Sequence, residues 1–151
     1  MNLSRKWGHF AALSASECRL LMRACSMLVL VDLELRLRGW RRCHARLAAW
    51  ATRNAAPTDF TPERIAWLVA RAARNVPWPA TCLRRSLVLW ALLARAGVAT
   101  ELRLGFRRQA GAFEAHAWVE RDGVPLNDRR DIHEHYTVAE QALTPGDWRE
   151  A

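Results

Sequence analysis

The chain has 151 residues, of which 51% are hydrophobic, and it carries a formal net charge of +8 at pH 7. This length and apolar content exclude wholesale disorder and suffice for one domain with a buried core. The basic surplus permits an anionic partner, but the arginines are scattered and match no nucleic-acid-binding motif. We therefore expect no nucleic acid partner.

The four cysteines lie at positions 18, 25, 43 and 82, with spacings that fit neither a zinc motif nor a Cys-x-x-Cys pair. His133 and His135 form a His-x-His pair without a clear third ligand, so we expect no metal. No glycine loop for phosphate is present, and no cofactor is expected. The N-terminus lacks a signal peptide, which predicts a cytoplasmic protein with reduced thiols. The most apolar stretch, residues 24–31, is too short to span a bilayer.

Two helices are predicted in the N-terminal third. Ser14 and Glu17 form a capping box, and the helix that they begin is expected to reach about Arg38, with Gly39 as its stop. A second helix is predicted from Trp40 to Arg53. We favour packing of both helices as a cap over the core. The alternative is a docking surface for a partner protein or a membrane face, although nothing in the sequence supports membrane association.

Two further helices follow. Thr61 is a suitable N-cap, with Pro62 at the first helical position, and apolar residues then recur at helical spacing. The next helix is predicted to start at Thr81 or Cys82 and to end at Gly97. Its apolar residues surround most of its circumference, which predicts a central position in the fold.

The C-terminal third has the alternation of β-strands. Residues 100–107 and 113–120 each alternate between apolar and polar positions, and residues 124–128 are predicted to form a return strand. Thr137 and Glu140 have the spacing of a capping box, which predicts a short final helix.

The turn of the predicted hairpin decides how His116 stands relative to Asp128. A two-residue loop, Asp122-Gly123, would place these side chains on opposite faces. A three-residue loop, residues 121–123, would place them directly opposite each other, with Cβ atoms about 4.5–5.5 Å apart. This second register also pairs Trp118 with Leu126 and Glu114 with Arg130. We favour the three-residue loop.

Cys82, His116 and Asp128 are the candidate catalytic residues, because a thiol, an imidazole and a carboxylate together make an acyl-transfer site. A cysteine in the first turn of a helix faces unpaired backbone N–H groups and the positive end of the helix dipole, which favour the thiolate. Arg85 is either a substrate anchor or part of a structural salt bridge. Trp78 either walls the cleft or packs in the core.

The sequence resembles the transglutaminase-like cysteine peptidase superfamily and, more narrowly, the leader peptidases of lasso peptide biosynthesis. The matching segments are Cys82-Leu83-Arg84-Arg85-Ser86-Leu87, Leu102-Arg103-Leu104-Gly105, Ala115-His116-Ala117-Trp118-Val119 and Asn127-Asp128. The resemblance implies an α+β fold with a papain-like core, in which the cysteine helix packs on a small antiparallel sheet that bears the histidine and the aspartate. We predict a single domain over residues 1–151, with a helical N-terminal segment (1–55) and a catalytic core (56–151).

The resemblance also implies an activity and partners. The activity is removal of the leader from a ribosomally made precursor peptide, with Cys82 as nucleophile, His116 as base and Asp128 as its orienting group. The implied partners are a separate small leader-binding protein and an asparagine-synthetase-like cyclase that closes the macrolactam. Three other functions stay open: another acyl transferase on the same fold, a non-enzymatic binding module, and a basic RNA-binding protein.

Overall fold

The N-terminal part of the fold is one long helix with a kink. In the computed structural model, which describes residues 13–109 and 111–139, helix α1 spans Ala15–Arg53. The predicted capping box begins it: the Ser14 N–H donates to Glu17 Oε2 at 2.7 Å, and the Glu17 N–H donates to Ser14 Oγ at 3.2 Å. Gly39, with φ 73° and ψ 174°, breaks the helical conformation at the predicted stop. The two predicted helices are therefore the two halves of α1.

Helices α2 (Pro62–Ala73) and α3 (Cys82–Arg95) begin at the predicted threonine caps. Thr61 Oγ1 accepts a hydrogen bond from the Arg64 N–H at 3.2 Å, and Thr81 Oγ1 accepts one from the Arg84 N–H at 3.5 Å. Helix α3 is central, as its composition predicts, because it packs against α1, α2 and the sheet. Its fully buried apolar residues are Leu87, Val88, Leu89, Ala91, Leu92 and Leu93.

The sheet is antiparallel and has four strands. They are β1 (Glu101–Gln109), β2 (Ala112–Arg121), β3 (Val124–Pro125) and β4 (Thr137–Val138), in the spatial order β3-β2-β1-β4. The short helix α4 (Ile132–His135) precedes β4. The predicted helix cap at Thr137 is wrong, because this residue lies in β4, paired with β1. Glu140, the other half of that capping box, lies outside the described residues.

Both faces of the sheet are covered near the end of β2. Val119 belongs to the main core with apolar residues of α1, α2 and α3. Its neighbour Trp118 belongs to a second cluster, with Ile132 and Tyr136. Successive side chains of a strand point to opposite faces, so the helices cover one face and the small cluster covers the other. The fold class is α+β, as expected from the sequence.

The hairpin between β2 and β3 differs from the favoured prediction. Arg121 pairs with Val124 and Glu120 with Pro125, so the loop is the two-residue Asp122-Gly123. Both loop residues have positive φ, 52° and 76°, as a type I′ turn requires, and this turn matches the twist of the flanking strands.

The three-residue loop is therefore wrong, and so are the cross-strand pairs derived from it. Leu126 lies opposite Val119 and not opposite Trp118, since the Leu126 N–H donates to the Val119 carbonyl oxygen, and β3 ends well before Arg130. The return strand is also shorter than predicted, because it ends at Pro125.

Candidate active site

Cys82 is the first residue of α3, and its side chain is partly buried. Thr81, the N-cap residue, accepts hydrogen bonds from two backbone N–H groups of the first turn. Its Oγ1 accepts from the Arg84 N–H, and its carbonyl oxygen accepts from the Arg85 N–H at 3.1 Å. Within the described residues, the N–H groups of Cys82 and Leu83 enter no such bond. Two backbone donors at the cysteine are thus available to an oxygen atom of a ligand.

His116 and Asp128 are hydrogen-bonded to each other. Nε2 of His116 lies 2.6 Å from Oδ2 of Asp128, and the two side chains are 19% and 18% exposed. Oδ1 of Asp128 accepts a second bond, from the Arg129 N–H at 2.9 Å. Because the carboxylate occupies Nε2, Nδ1 is the imidazole nitrogen left for a proton exchange with another group.

Asn127 explains how Asp128 reaches His116 despite the two-residue turn. The Leu126 N–H still bonds to the Val119 carbonyl oxygen at 2.9 Å, but the Val119 N–H donates to the side chain of Asn127, at 2.8 Å from Oδ1. A side-chain oxygen thus replaces the backbone acceptor of a continuing strand. The chain leaves the ladder at this point, so the strict alternation of faces no longer applies to Asp128.

A buried serine fixes the other end of Asn127. Nδ2 of Asn127 donates to Ser86 Oγ at 2.9 Å, and Ser86 Oγ donates to the Ala117 carbonyl oxygen at 2.9 Å. Ser86 lies one helical turn after Cys82, so this network joins the cysteine helix, β2 and the segment that carries Asp128. Ser86 and Asn127 both lie in the segments that carry the family resemblance, but their role in joining these elements was not predicted. A serine or an asparagine does not reveal its hydrogen-bond partners before the tertiary contacts are known.

Cys82 and His116 line one cavity of about 310 Å³. Its other lining residues have apolar side chains: Trp40, Leu83, Leu104, Phe106, Ala115 and Ala117. Across residues 13–109 and 111–139, no hydrogen bond joins the Cys82 thiol to the imidazole. The structure therefore brings His116 and Asp128 into direct contact and places Cys82 with His116 around a shared space.

Two residues considered from the sequence lie away from this cavity. Arg85 lines a separate cavity with Glu63, Trp67 and Asn127, and it forms no salt bridge with the described residues. Trp78 is partly buried but does not line the cavity of Cys82. The tryptophan in the cavity wall is Trp40, from the N-terminal helix, and sequence reasoning gave no signal for it.

One of three comparisons with known proteins found a match. Residues 27–141, which are more than half of the chain, match the model of a family described as the transglutaminase-like superfamily. The chain belongs to the transglutaminase-like superfamily. Neither the curated proteins nor the solved structures include a match to it. Members of this superfamily are often cysteine peptidases or acyltransferases, and the fold described above is consistent with a papain-like core.

The imidazole of this transglutaminase-like domain packs against Tyr136. The two ring centroids are 5.0 Å apart, and the tyrosine hydroxyl donates to Glu114 Oε1 at 2.8 Å. The Arg107 guanidinium lies 4.7 Å from the centre of the tyrosine ring and is paired with Glu114. The hydroxyl and this guanidinium lower the pKa of Glu114, while burial raises the pKa of Tyr136. The single tyrosine of the chain thus holds one face of His116.

The two histidines considered as metal ligands, His133 and His135, are paired with different carboxylates. His133 Nε2 lies 2.7 Å from Glu120, whereas His135 Nε2 lies 3.3 Å from Asp131. In the part of the chain that the structure describes, no three His, Cys, Asp or Glu side chains are grouped as metal ligands would be. That same part contains no helix whose length and hydropathy would allow it to cross a membrane.

Proposed function

We propose that this chain is a cysteine peptidase that removes the leader from a ribosomally made precursor of the lasso peptide class. In this proposal, Cys82, His116 and Asp128 act as its catalytic triad. The observation that carries the proposal is the 2.6 Å bond between His116 and Asp128 at a cavity that also holds Cys82 at a helix start. Membership of the superfamily supports acyl-transfer chemistry, and the motif resemblance supports the precursor as substrate.

The reaction begins with the thiol. His116 takes the Cys82 proton on Nδ1 while the sulfur attacks the carbonyl carbon of the last leader residue. The resulting oxyanion is stabilised by the free N–H groups of Cys82 and Leu83. When the tetrahedral intermediate collapses, the C–N bond breaks and the imidazolium gives its proton to the leaving amine, which is the N-terminus of the core peptide.

The second half of the reaction restores the enzyme. His116 deprotonates a water molecule, which attacks the thioester, and the leader leaves with a free carboxylate as the thiol is re-formed. Asp128 accepts the Nε2–H bond throughout. It therefore keeps the proton-exchanging lone pair on Nδ1 and stabilises the imidazolium. The imidazole carries the protons exchanged with the thiol, the leaving amine and the attacking water, the new carboxylic acid loses its proton to solvent, and water is the sole added reactant.

The partners in this proposal follow from the resemblance. A separate small protein binds the leader and delivers the precursor, and a cyclase resembling asparagine synthetase closes the macrolactam on the freed core peptide. The chain works in the cytoplasm in this scheme, where its four thiols stay reduced.

Mass spectrometry of the precursor peptide from the same gene neighbourhood tests the proposal. The peptide is incubated with the protein and the candidate leader-binding partner, and wild type is compared with Cys82→Ala. The matched control is Cys18→Ala, which removes a partly buried thiol from α1. One cleavage at the leader–core junction, lost in Cys82→Ala and kept in Cys18→Ala, is expected.

Variants at Asp128 test the triad more closely. Asp128→Asn removes the negative charge, and its amide can donate to Nε2 and fix the wrong tautomer, while Asp128→Ala removes the partner of the imidazole, so both variants are expected to lose most of the activity. Cleavage that persists in Cys82→Ala would contradict the assignment of the nucleophile. If the precursor stays intact but an added amine is joined to a peptide carbonyl, the protein is an acyl transferase of the same superfamily and the peptidase proposal is wrong.

A further inference from the structure

The cavity beside Cys82 is apolar on almost every side. Apart from Cys82 and His116, each residue that lines it has an aliphatic or aromatic side chain. At about 310 Å³, it is at the lower end of the range of about 300–1,000 Å³ typical of ligand pockets. A space of this size accepts one large side chain rather than a folded peptide segment.

Charged groups line a neighbouring cavity. Arg107, Asp128, Arg129 and His135 line a second cavity, which shares His116 with the first. The surroundings of the candidate site are therefore asymmetric, with an apolar cavity at the cysteine and a charged one at the aspartate. A charged or hydrogen-bonding side chain placed in the first cavity would lose its water and find almost no polar partner.

We propose that the cavity lined by Trp40, Leu104 and Phe106 binds a large apolar side chain of the substrate, from a residue adjoining the scissile bond. This inference rests on the proposed peptidase function, because it assigns a specificity site to the same cysteine. Leucine, methionine and phenylalanine are the side chains that such a surface accepts best. Aspartate, glutamate and asparagine are disfavoured, since the side chains of the wall are apolar and the backbone N–H groups of Cys82 and Leu83 are assigned to the oxyanion.

Trp40 gives the N-terminal helix a part in this specificity. It follows the Gly39 kink directly, and its ring stacks on His44 with centroids 5.5 Å apart. His44 stacks in turn on Trp90 of α3, at 4.6 Å. This row of three rings fixes the tryptophan against the cysteine helix. A change at Trp40 therefore alters the cavity wall without touching Cys82 or His116.

Alkylation of Cys82 tests the cavity without any peptidase activity. The native protein is treated with iodoacetamide or with N-benzyl iodoacetamide, and the rate at each cysteine is followed by peptide mapping. The ratio of the benzyl rate to the parent rate is compared between Cys82 and Cys18, which is partly buried on α1 and serves as the internal standard. We expect this ratio to be at least about tenfold higher at Cys82, since apolar groups in a fitted pocket discriminate by about 10–200-fold.

Variants of the wall sharpen this test. Trp40→Ala removes part of the wall and is expected to lower the ratio at Cys82. Ala115→Leu fills part of the cavity and is expected to exclude the benzyl reagent while leaving iodoacetamide reactive. The matched control is Trp67→Ala, because Trp67 is 40% exposed on α2 and lies outside the cavity. The Ala115→Leu arm keeps the test decisive if Trp40→Ala fails to fold.

Substrate variants provide the second arm. Precursors with leucine, phenylalanine, asparagine or aspartate at each position flanking the junction are compared by kcat/KM. At one position, the apolar residues are expected to exceed the polar ones by at least about tenfold. Ala115→Leu should shift the preference at that position towards smaller side chains.

The outcomes separate the two proposals. A high benzyl ratio at Cys82 without cleavage of any precursor would support the apolar site and contradict the peptidase function. Cleavage that ignores the polarity of every flanking residue, together with equal ratios at Cys82 and Cys18, would overturn the apolar site and leave the peptidase function intact.

Discussion

Replacing Ser86 with alanine is expected to destabilise the fold. The Ser86 side chain is 0% exposed, and its hydroxyl makes one bond to the Ala117 carbonyl oxygen and one to Asn127, each of 2.9 Å. A hydrogen bond of this kind contributes about 0.5–1.5 kcal/mol, so the loss of two is expected to lower the free energy of unfolding by about 1–3 kcal/mol. For a chain of this length, that corresponds to a fall in Tm of about 2–12 °C.

The same substitution is expected to slow the reaction proposed for Cys82. Without Ser86, Asn127 keeps its bond to the Val119 N–H but loses the one to the cysteine helix. The segment that carries Asp128 is then held less firmly relative to His116. Small displacements of catalytic groups cost up to about 100-fold in rate, so a fall of roughly 10- to 100-fold in kcat is expected, with KM little changed.

Thermal and urea denaturation give the stability, and single-turnover cleavage of the precursor gives the rate. Ser26→Ala is the matched control, because Ser26 Oγ donates to the Met22 carbonyl oxygen at 3.0 Å on an exposed face of α1. It is expected to stay within about 0.5 kcal/mol of wild type. If Ser86→Ala has the same denaturation midpoint and cleavage rate as this control, the network neither stabilises the fold nor positions Asp128. A fall in stability alone would mean that it supports the fold without positioning Asp128.

Three further outcomes follow from burial. Gly105→Ala is expected to cost about 1–3 kcal/mol, because a Cβ there would lie 2.7 Å from ring carbons of the buried Trp118; an unchanged urea midpoint would contradict this. Burial raises the pKa of the Cys43 thiol to about 11, so iodoacetamide at about pH 8 should modify it readily only after denaturation, as peptide mapping can show. Burial lowers the pKa of His44 in the folded protein, so protonation of this histidine favours the unfolded chain. The free energy of unfolding is therefore expected to fall as the pH drops below the unfolded-state pKa of about 6.5. His44→Phe should make the urea midpoint less dependent on pH below that value.

The helices could be predicted because their signals are local. Ser14, Thr61 and Thr81 each accept the hydrogen bond that a capping residue should, and Gly39 adopts the positive φ that ends the first half of α1. These residues act on atoms within four positions along the chain. The period of apolar residues then indicates which face is buried, as it does for Ile65, Leu68, Val69 and Ala72 of α2.

The register of the hairpin could have been predicted from its turn, but the position of Asp128 could not, because the two depend on different interactions. The Asp122-Gly123 turn sets the register locally, as the general preference for type I′ turns indicates. The position of Asp128 depends instead on Asn127, whose amide bonds to Val119 and to Ser86 of a distant helix. Sequence reasoning extended the strand through this point and changed the turn to bring His116 and Asp128 together. The two residues do meet, but through a side-chain hydrogen bond that alternation of faces cannot reveal.

The N-terminal helix contacts the surroundings of the candidate active site through two residues. Asp32, which is buried on α1, lies 2.6 Å from Arg84 of α3, two residues after Cys82. Beyond the kink, Trp40 lines the cavity that Cys82 shares with His116. An interaction with either half of α1 would therefore act on the start of the cysteine helix or on the cavity wall, without contact to the imidazole or to Asp128. Substitutions at Asp32 and at Trp40 would therefore separate an effect on the start of the cysteine helix from an effect on the cavity wall.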